Sequence, residues 1–407
     1  MATALYVCTV LRVTTTVDMT SLTADRLVDS AVAATGLQDF GDDDWREGLH
    51  RLVDSLREEA ALNEIGVAAA TKELKYQLIT RLGVIAYRRE HPEVADVDVV
   101  PPLVIVGQAR TGTTILHDLL AQDPVARVPL TWEVERPCPP PEQEAYHTDP
   151  RIAAVDARIA AVGSLMPDLF GMHPMGAQLG QECVCITTSH FRSILYATEY
   201  RIPSYAQWVF NEADHTGAYR WHRVFLQHLQ ARHPAQRWVL KSPGHIWTLK
   251  ELAAEYPQAL LVQTHRDPLR IIASVTSMYT TLRGVTSNDV KPHEIAAEWA
   301  EHIMSGLDRS VTARNDGVIG SDRVVDINFR DFMVDQIGTV ERIYDRLGLP
   351  FKDEVRCRAT EFLDRHPRDK HGGHRYTFAS TGLDEGEWRE RARRYQEYFN
   401  VPSERLD

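Results

Sequence analysis

Residues 103–120 constrain the fold of this chain more than any other stretch. Leu103–Val106 is a short apolar run rich in β-branched residues, which is typical of a buried parallel strand. A polar loop bracketed by Gly107 and Gly112 follows, and apolar residues then recur at helical spacing from Ile115. A tight loop between a strand and a helix start directs backbone N–H groups and the positive end of the helix dipole to one place. The stretch therefore predicts an α/β fold with an anion-binding loop.

The spacing of the two glycines indicates which anion the loop suits. Gly107 and Gly112 match the glycines of the phosphate-binding loop GxxxxGK[ST], but Thr113 stands where that loop has its lysine. In nucleoside triphosphatases this lysine contacts the β- and γ-phosphates. The only cation of the present loop is Arg110. We therefore expect a phosphate-like group other than the γ-phosphate of ATP, with an ordinary structural turn as the alternative.

Composition limits the classes of function. The chain has 407 residues, of which 43% are hydrophobic, enough for a sizeable core. Its net charge of −12 argues against nucleic-acid binding, and no apolar run approaches the roughly 20 residues of a membrane span. Five cysteines are present, and the spacing of Cys183 and Cys185 does not suit a zinc site. The odd cysteine number favours reduced thiols and a cytoplasmic location.

The chain divides into three regions by pattern. Residues 1–18 resemble no signal peptide, and we expect them to be poorly ordered, with Met19 as an alternative start. Residues 19–99 have the periodicity of helices packed on a core, and residues 100–407 form the main domain. Within it, residues 150–235 form a helical insertion rich in aromatic residues. The insertion is either a plain helical layer or a lid that lines an apolar ligand pocket.

A second group of signals lies in residues 236–275. Arg237–Lys241 is predicted to be a strand that ends in a cation, a helix follows, and another buried strand covers residues 259–264, just before Arg266. This order predicts a central parallel sheet with helices on both faces. Because ligands bind such sheets beyond the carboxyl ends of their strands, we expect Lys241, Arg266 and the Gly107–Thr114 loop at one edge.

The loop sequence Arg110-Thr-Gly-Thr-Thr114 resembles the 5′-phosphosulfate loop of sulfotransferases that use 3′-phosphoadenosine 5′-phosphosulfate (PAPS). Tyrosylprotein and many bacterial members carry this Arg-Ser/Thr-Gly-Thr-Thr form. The resemblance covers about residues 100–375 and implies a P-loop-like sulfotransferase fold. It also implies transfer of a sulfuryl group from PAPS to a hydroxyl group, with release of adenosine 3′,5′-bisphosphate (PAP) and without a metal. Arg110 would stabilise the charge on the leaving oxygen. The 5′-phosphosulfate would be cradled by Thr111, Gly112, Thr113 and Thr114.

Further matches to this family concern the rest of the donor. Arg266 and Ser274, eight residues apart, match the family's pair of 3′-phosphate ligands, and the guanidinium offers a bidentate fork. The alternative is that Arg266 pairs only with Asp267. Lys241 matches a strand-end lysine that contacts the sulfonate. The turn Lys370-His371-Gly372 resembles the Arg-Lys-Gly turn that closes over the 3′-phosphate in cytosolic members.

The reaction also needs a base for the hydroxyl proton. Cytosolic members place a histidine two residues after the lysine, but this chain has Pro243 there, so His245 is the nearest substitute. Tyrosylprotein and heparan sulfate O-sulfotransferases use a glutamate at the end of the next strand. Glu133 takes that place if residues 126–132 form a strand. We favour Glu133, and Glu182 in the insertion is a third candidate.

The acceptor and the assembly are less defined by the sequence. Aromatic residues in residues 150–235 favour a small aryl, steroid or lipid alcohol over a polyanionic sugar, which would need a basic cleft. The oligomeric state is left open. Two other functions compete with sulfuryl transfer: a P-loop kinase, which would need the missing lysine and a metal-binding acid, and a nucleotide-binding protein without catalysis.

Overall fold

The computed structural model describes residues 19–165, 175–366 and 376–406. By its internal contacts the chain divides into two compact units. The first comprises residues 1–99, 130–234 and 279–290, and the second comprises residues 100–129, 235–278 and 291–407, each as far as the chain is described. Two features of the sequence analysis, residues 1–18 and the turn Lys370-His371-Gly372, lie outside the described residues.

The second unit is built on a parallel sheet. Its described part contributes five strands, in the order β2-β3-β1-β4-β5, and all neighbours in the sheet run parallel. The strands are β1 (Leu103–Val106), β2 (Ala126–Arg127), β3 (Arg237–Ser242), β4 (Leu260–His265) and β5 (Val324–Asn328). This arrangement confirms the predicted α/β fold with a central parallel sheet.

Strand β1 lies at the centre of the sheet. Its neighbours are β3 on one side and β4 on the other, and Val106 pairs with both Ser242 and Gln263. The three strands therefore end at nearly the same level, and the winding of the sheet changes direction at β1. All four residues of β1 are buried, which explains its uninterrupted apolar sequence. A change of winding direction is the place where open α/β sheets bind ligands.

Helices surround this sheet. His117 anchors the first of them through a 3.0 Å hydrogen bond between Nε2 and the carbonyl oxygen of Val239 in β3. The helices that begin in the second unit are Thr113–Leu120, Leu249–Glu255, Pro268–Thr286, Pro292–Asn315, Phe329–Val334, Gln336–Arg346, Asp353–Arg365 and Glu385–Phe399. Residues from Tyr279 onward in the helix Pro268–Thr286 belong to the first unit.

The first unit is helical. The apolar residues that recur at three- and four-residue spacing in its N-terminal helices, such as Leu52, Leu56, Leu74 and Leu78, are buried as their periodicity predicts. The helices of this unit are Ala24–Thr35, Arg46–Glu58, Glu64–Glu90, Thr131–Glu135, Pro150–Leu165, Cys183–Thr187, Leu195–Glu199, Pro203–Asn211 and Thr216–Gln230. Along the described ranges, no helix of either unit has the length and apolar character needed to cross a membrane.

One local prediction was wrong. We expected a strand over residues 126–132, but the strand β2 covers only Ala126–Arg127, and residues Thr131–Glu135 form a helix. Glu133 explains the change, because its Oε1 accepts a 2.9 Å hydrogen bond from the backbone N–H of Leu130 at the helix start. Such a bond offers the backbone an alternative to a strand.

Candidate functional site

The loop after β1 has a conformation that its two glycines permit. Gly107 and Gly112 have φ values of 149° and 86°, which disfavour residues with a side chain. A Cβ atom on Gly107 would lie 2.3 Å from Oγ1 of Thr264 in β4, so the loop approaches the neighbouring strand as closely as its backbone allows. Arg110 also has a positive φ, of 71°. The loop is therefore held in a tight, partly strained turn that ends at the helix Thr113–Leu120.

Side chains inside the loop fix this turn. The hydroxyl of Thr111 lies 2.7 Å from the carbonyl oxygen of Gln108 and 2.6 Å from Oγ1 of Thr264, and Thr111 is buried. Its hydroxyl therefore serves the loop itself, which leaves its backbone N–H as the group to hold an anion. Gly112 precedes the helix without a capping side chain, so the N–H groups of the first turn have no partner within the helix. They suit a phosphate or sulfonate oxygen.

Lys241 of β3 reaches this loop. Its Nζ donates a 3.2 Å hydrogen bond to Oγ1 of Thr114, and the side chain is buried. One helical turn beyond Thr114 lies Asp118, a residue that the sequence analysis missed. Burial raises the pKa of the Asp118 carboxyl to about 6, although the positive charge of Lys241 opposes the rise. Its position four residues after Thr114 was the signal that could have identified it.

The predicted 3′-phosphate pair also lies at the loop. Nε of Arg110 donates a 3.0 Å hydrogen bond to Oγ of Ser274, and Nη1 of Arg266 donates a 2.9 Å hydrogen bond to the carbonyl oxygen of Arg110. The guanidinium of Arg266 stacks 4.1 Å from the ring centre of Phe329. The structure thus brings Arg110, Lys241, Arg266 and Ser274 together at the carboxyl edge of the sheet.

A carboxylate from the C-terminal tail binds Arg266. Nε and Nη2 of Arg266 lie 2.9 and 3.1 Å from the two carboxylate oxygens of Glu404. The sequence offered the neighbouring Asp267 as the alternative partner of Arg266. Asp267 instead accepts two 2.7 Å hydrogen bonds from Arg389 and one of 2.6 Å from the backbone N–H of Glu404. The tail is therefore fastened beside the loop, and sequence reasoning had no signal for it.

The three candidate bases occupy different surroundings. His245 is buried in the turn Pro243–Trp247, directly after β3 in the second unit. Glu133 belongs to the first unit and is fully buried there, with a further 3.1 Å hydrogen bond from the hydroxyl of Tyr146 to Oε1. Glu182 also belongs to the first unit, where it precedes the helix Cys183–Thr187. Of the three, only His245 lies in the unit that carries the loop.

The chain is similar to known sulfotransferases. A family model described as "Sulfotransferase family" matches residues 101–353, more than half of the chain. A curated relative, the omega-hydroxy-beta-dihydromenaquinone-9 sulfotransferase Stf3 of Mycobacterium bovis, is 23% identical over 298 residues. That alignment covers 72% of this chain and 75% of the relative.

Two solved structures are similar over almost the whole chain. Sulfotransferase STF1 from Mycobacterium tuberculosis is 34% identical, with 91% of this chain and 98% of that chain covered and a TM-score of 0.81. Sulfotransferase STF9 from Mycobacterium avium is 30% identical, with 94% of this chain and 98% of that chain covered and a TM-score of 0.86. The family model and these structures agree with the resemblance of the loop. The chain therefore belongs to the sulfotransferase family and has the P-loop-like fold of its bacterial members.

Proposed function

We propose that this protein transfers a sulfuryl group from PAPS to the hydroxyl group of a small or lipid-like alcohol and releases PAP. The observation that carries the proposal is the contact of Arg266 and Ser274 with Arg110 in the loop. This contact brings two sets of anion-binding groups together at one edge of the sheet. A nucleotide with phosphate on both its 5′ and 3′ carbons needs two such sets.

The residues present fit this donor. The first-turn N–H groups after Gly112 and the ammonium of Lys241 suit the 5′-phosphosulfate, and the guanidinium of Arg266 with the hydroxyl of Ser274 suits the 3′-phosphate. Thr113, in the place of the triphosphatase lysine, disfavours ATP as the donor. PAPS supplies the activated sulfuryl group when it is bound.

The chemistry follows from the positions of these charges. In a direct in-line displacement, the acceptor oxygen forms a bond to sulfur while the bond from sulfur to the bridging phosphate oxygen breaks. Lys241 and Arg110 would stabilise the negative charge that develops on that oxygen. Arg110 cannot donate a proton, because a guanidinium does not deprotonate in proteins. We keep Glu133 as the proposed base, with His245 and Glu182 as the alternatives.

The acceptor class rests on a relative. The described aromatic side chains of residues 150–235 are buried in the first unit, and Tyr196, Tyr205 and Trp221 each also make a hydrogen bond within it. They therefore act as core residues and carry no weight for the acceptor. The relative Stf3 is named for a hydroxylated dihydromenaquinone. We propose on this basis that the acceptor here is also a lipid-like alcohol.

Two experiments test the proposal in sequence. Calorimetry with the purified protein measures whether it binds PAP, and undetectable binding would contradict the choice of donor. Incubation with ³⁵S-labelled PAPS and a cell extract, followed by solvent partition, then shows whether label enters the lipid or the aqueous fraction. Label in the lipid fraction supports the acceptor class. Binding of PAP without transfer to any compound would favour a nucleotide-binding protein without catalysis.

A further inference from the structure

A second arginine stands between Arg266 and Ser274. Arg270 follows Arg266 by four residues and precedes Ser274 by four, at the start of the helix Pro268–Thr286. Residues at this spacing lie on the same side of a helix, one turn apart. All three residues belong to the second unit. Arg270 and Ser274 therefore lie on one side of this helix, and Arg266 precedes the helix by two residues.

The hydrogen bonds of Arg270 are incomplete. Its Nε and Nη1 atoms are buried and have no hydrogen-bond partner among the described residues. The nearest carboxylate oxygen, Oε2 of Glu404, is 3.9 Å from Nε, which is too long for a hydrogen bond. The guanidinium carbon lies 5.1 Å from the ring centre of Tyr376, and the side chain is 19% exposed. Two N–H groups of a charged side chain that have lost their water without gaining acceptors are suited to receive an anion.

The surrounding charges favour an anion at this place. Arg266 and Arg270 share one nearby carboxylate, that of Glu404, which binds Arg266 closely and Arg270 only loosely. Asp267 is neutralised by Arg389. A positive charge therefore remains beside Ser274. The Glu404 carboxylate also shows that acidic oxygen atoms fit close to both arginines.

We propose that Arg270 is a third ligand of the donor's 3′-phosphate, beside Arg266 and Ser274. This inference rests on the proposed function and adds a residue that neither the motif nor the family comparison assigned. Nε of Arg270 donates to a phosphate oxygen that Arg266 does not bind. The ammonium of a lysine at this position would keep the charge but lose this fixed N–H donor. Arg270 thereby contributes to the preference for nucleotides that carry a 3′-phosphate.

The test compares two ligands that differ only in that phosphate. Calorimetry measures the affinities of PAP and of adenosine 5′-monophosphate for the wild-type protein and for Arg270→Ala, Arg270→Lys and Arg342→Ala. We expect Arg270→Ala to bind PAP roughly tenfold to hundredfold more weakly, with the monophosphate affinity unchanged. Arg270→Lys should lie between. Arg342→Ala is the matched control, because it removes an exposed arginine that pairs with Asp335 in the same unit.

Each other outcome has a defined meaning. Equal losses for both ligands, or no loss for PAP, would overturn the role of Arg270. If thermal unfolding shows that Arg270→Ala does not fold, Arg270→Lys decides, and unchanged PAP affinity in that variant would overturn the inference. Wild-type protein without any preference for PAP over the monophosphate would overturn the proposed function and this inference with it. A wild-type preference that the Arg270 variants retain would overturn the inference alone.

Discussion

The carboxylate of Glu404 pairs with Arg266, the arginine that the donor's 3′-phosphate would need. Two nitrogen atoms of Arg266 bind this carboxylate at 2.9 and 3.1 Å, and the third binds the loop carbonyl of Arg110. A phosphate dianion that approaches Arg266 must therefore displace Glu404 or lie against its negative charge. We expect the change Glu404→Gln to increase the affinity for PAP, because the amide removes this charge and no longer binds both nitrogens.

The size of the effect follows from the geometry of this pair. Hydrogen bonds to charged groups contribute about 1.5–3 kcal/mol. The side chains of Arg266 and Glu404 are 11% and 26% exposed, so solvent reduces the contribution of the pair to about 1–2 kcal/mol. If PAP must break the pair, its affinity should rise roughly fivefold to thirtyfold in Glu404→Gln. The free variant should also unfold more easily than the free wild-type protein, since Arg266 loses its partner.

Calorimetry with PAP and adenosine 5′-monophosphate measures this effect, with thermal unfolding as a second readout. The monophosphate should bind both proteins equally, because it lacks the 3′-phosphate. Glu397→Gln is the matched control, since it removes an exposed carboxylate from the preceding helix Glu385–Phe399 and should change neither affinity. Weaker binding of PAP to Glu404→Gln would refute the reasoning. It would show instead that Glu404 holds Arg266 in its binding orientation.

Three further predictions concern the loop, the base and the fold. Arg110→Ala and Lys241→Ala should each lower the rate of ³⁵S transfer by about 10²-fold or more, because each removes charge that stabilises the leaving oxygen, and near-normal rates would remove that residue from the reaction. Glu133→Gln should abolish most of the transfer while leaving PAP binding intact; retained activity, with loss in a His245→Gln variant, would assign the base to His245. The contribution of Asp118 to stability should fall as the pH rises from about 4 to about 6, because folded Asp118 keeps its proton up to a pKa of about 6 whereas the unfolded carboxyl loses it near 3.8. At pH 7.5, the free energy of unfolding of Asp118→Asn should therefore exceed that of the wild type by about 1–3 kcal/mol, as measured by urea unfolding. A variant less stable than the wild type at that pH would contradict this.

The sequence was sufficient for the glycine-bracketed loop and its neighbours at the sheet edge. Gly107, Arg110 and Gly112 predict a tight turn by their own backbone preferences, and Thr264 of β4 adds a contact from outside the turn. Lys241 and Arg266 each come at or directly after the end of an apolar strand, and parallel strands end at a common edge. The strand ends therefore predict that Arg266 lies at the same edge as the loop, and its Nη1 contacts the carbonyl oxygen of Arg110 there.

Sequence periodicity was less reliable where a side chain competes with the backbone. Residues 126–132 have the composition of a strand, but the bond between Glu133 and the N–H of Leu130 begins a helix at Thr131. The same bond now defines the surroundings of the proposed base. Strand propensity predicts neither the helix start at Thr131 nor the surroundings of Glu133, because propensity averages over the hydrogen bonds that an individual side chain makes.

Strand composition and glycine spacing determine, from the sequence alone, a parallel sheet with a glycine-bracketed loop at its carboxyl edge. The eight-residue interval between Arg266 and Ser274 identifies a predicted ligand pair through its resemblance to the sulfotransferase family. The tertiary structure alone decided that Glu404 binds Arg266, that Arg389 neutralises Asp267 and that burial raises the pKa of Asp118. The first set depends on residues close together in the chain. The second set depends on which distant segments come to lie together and on how much water they exclude, and no local pattern encodes that.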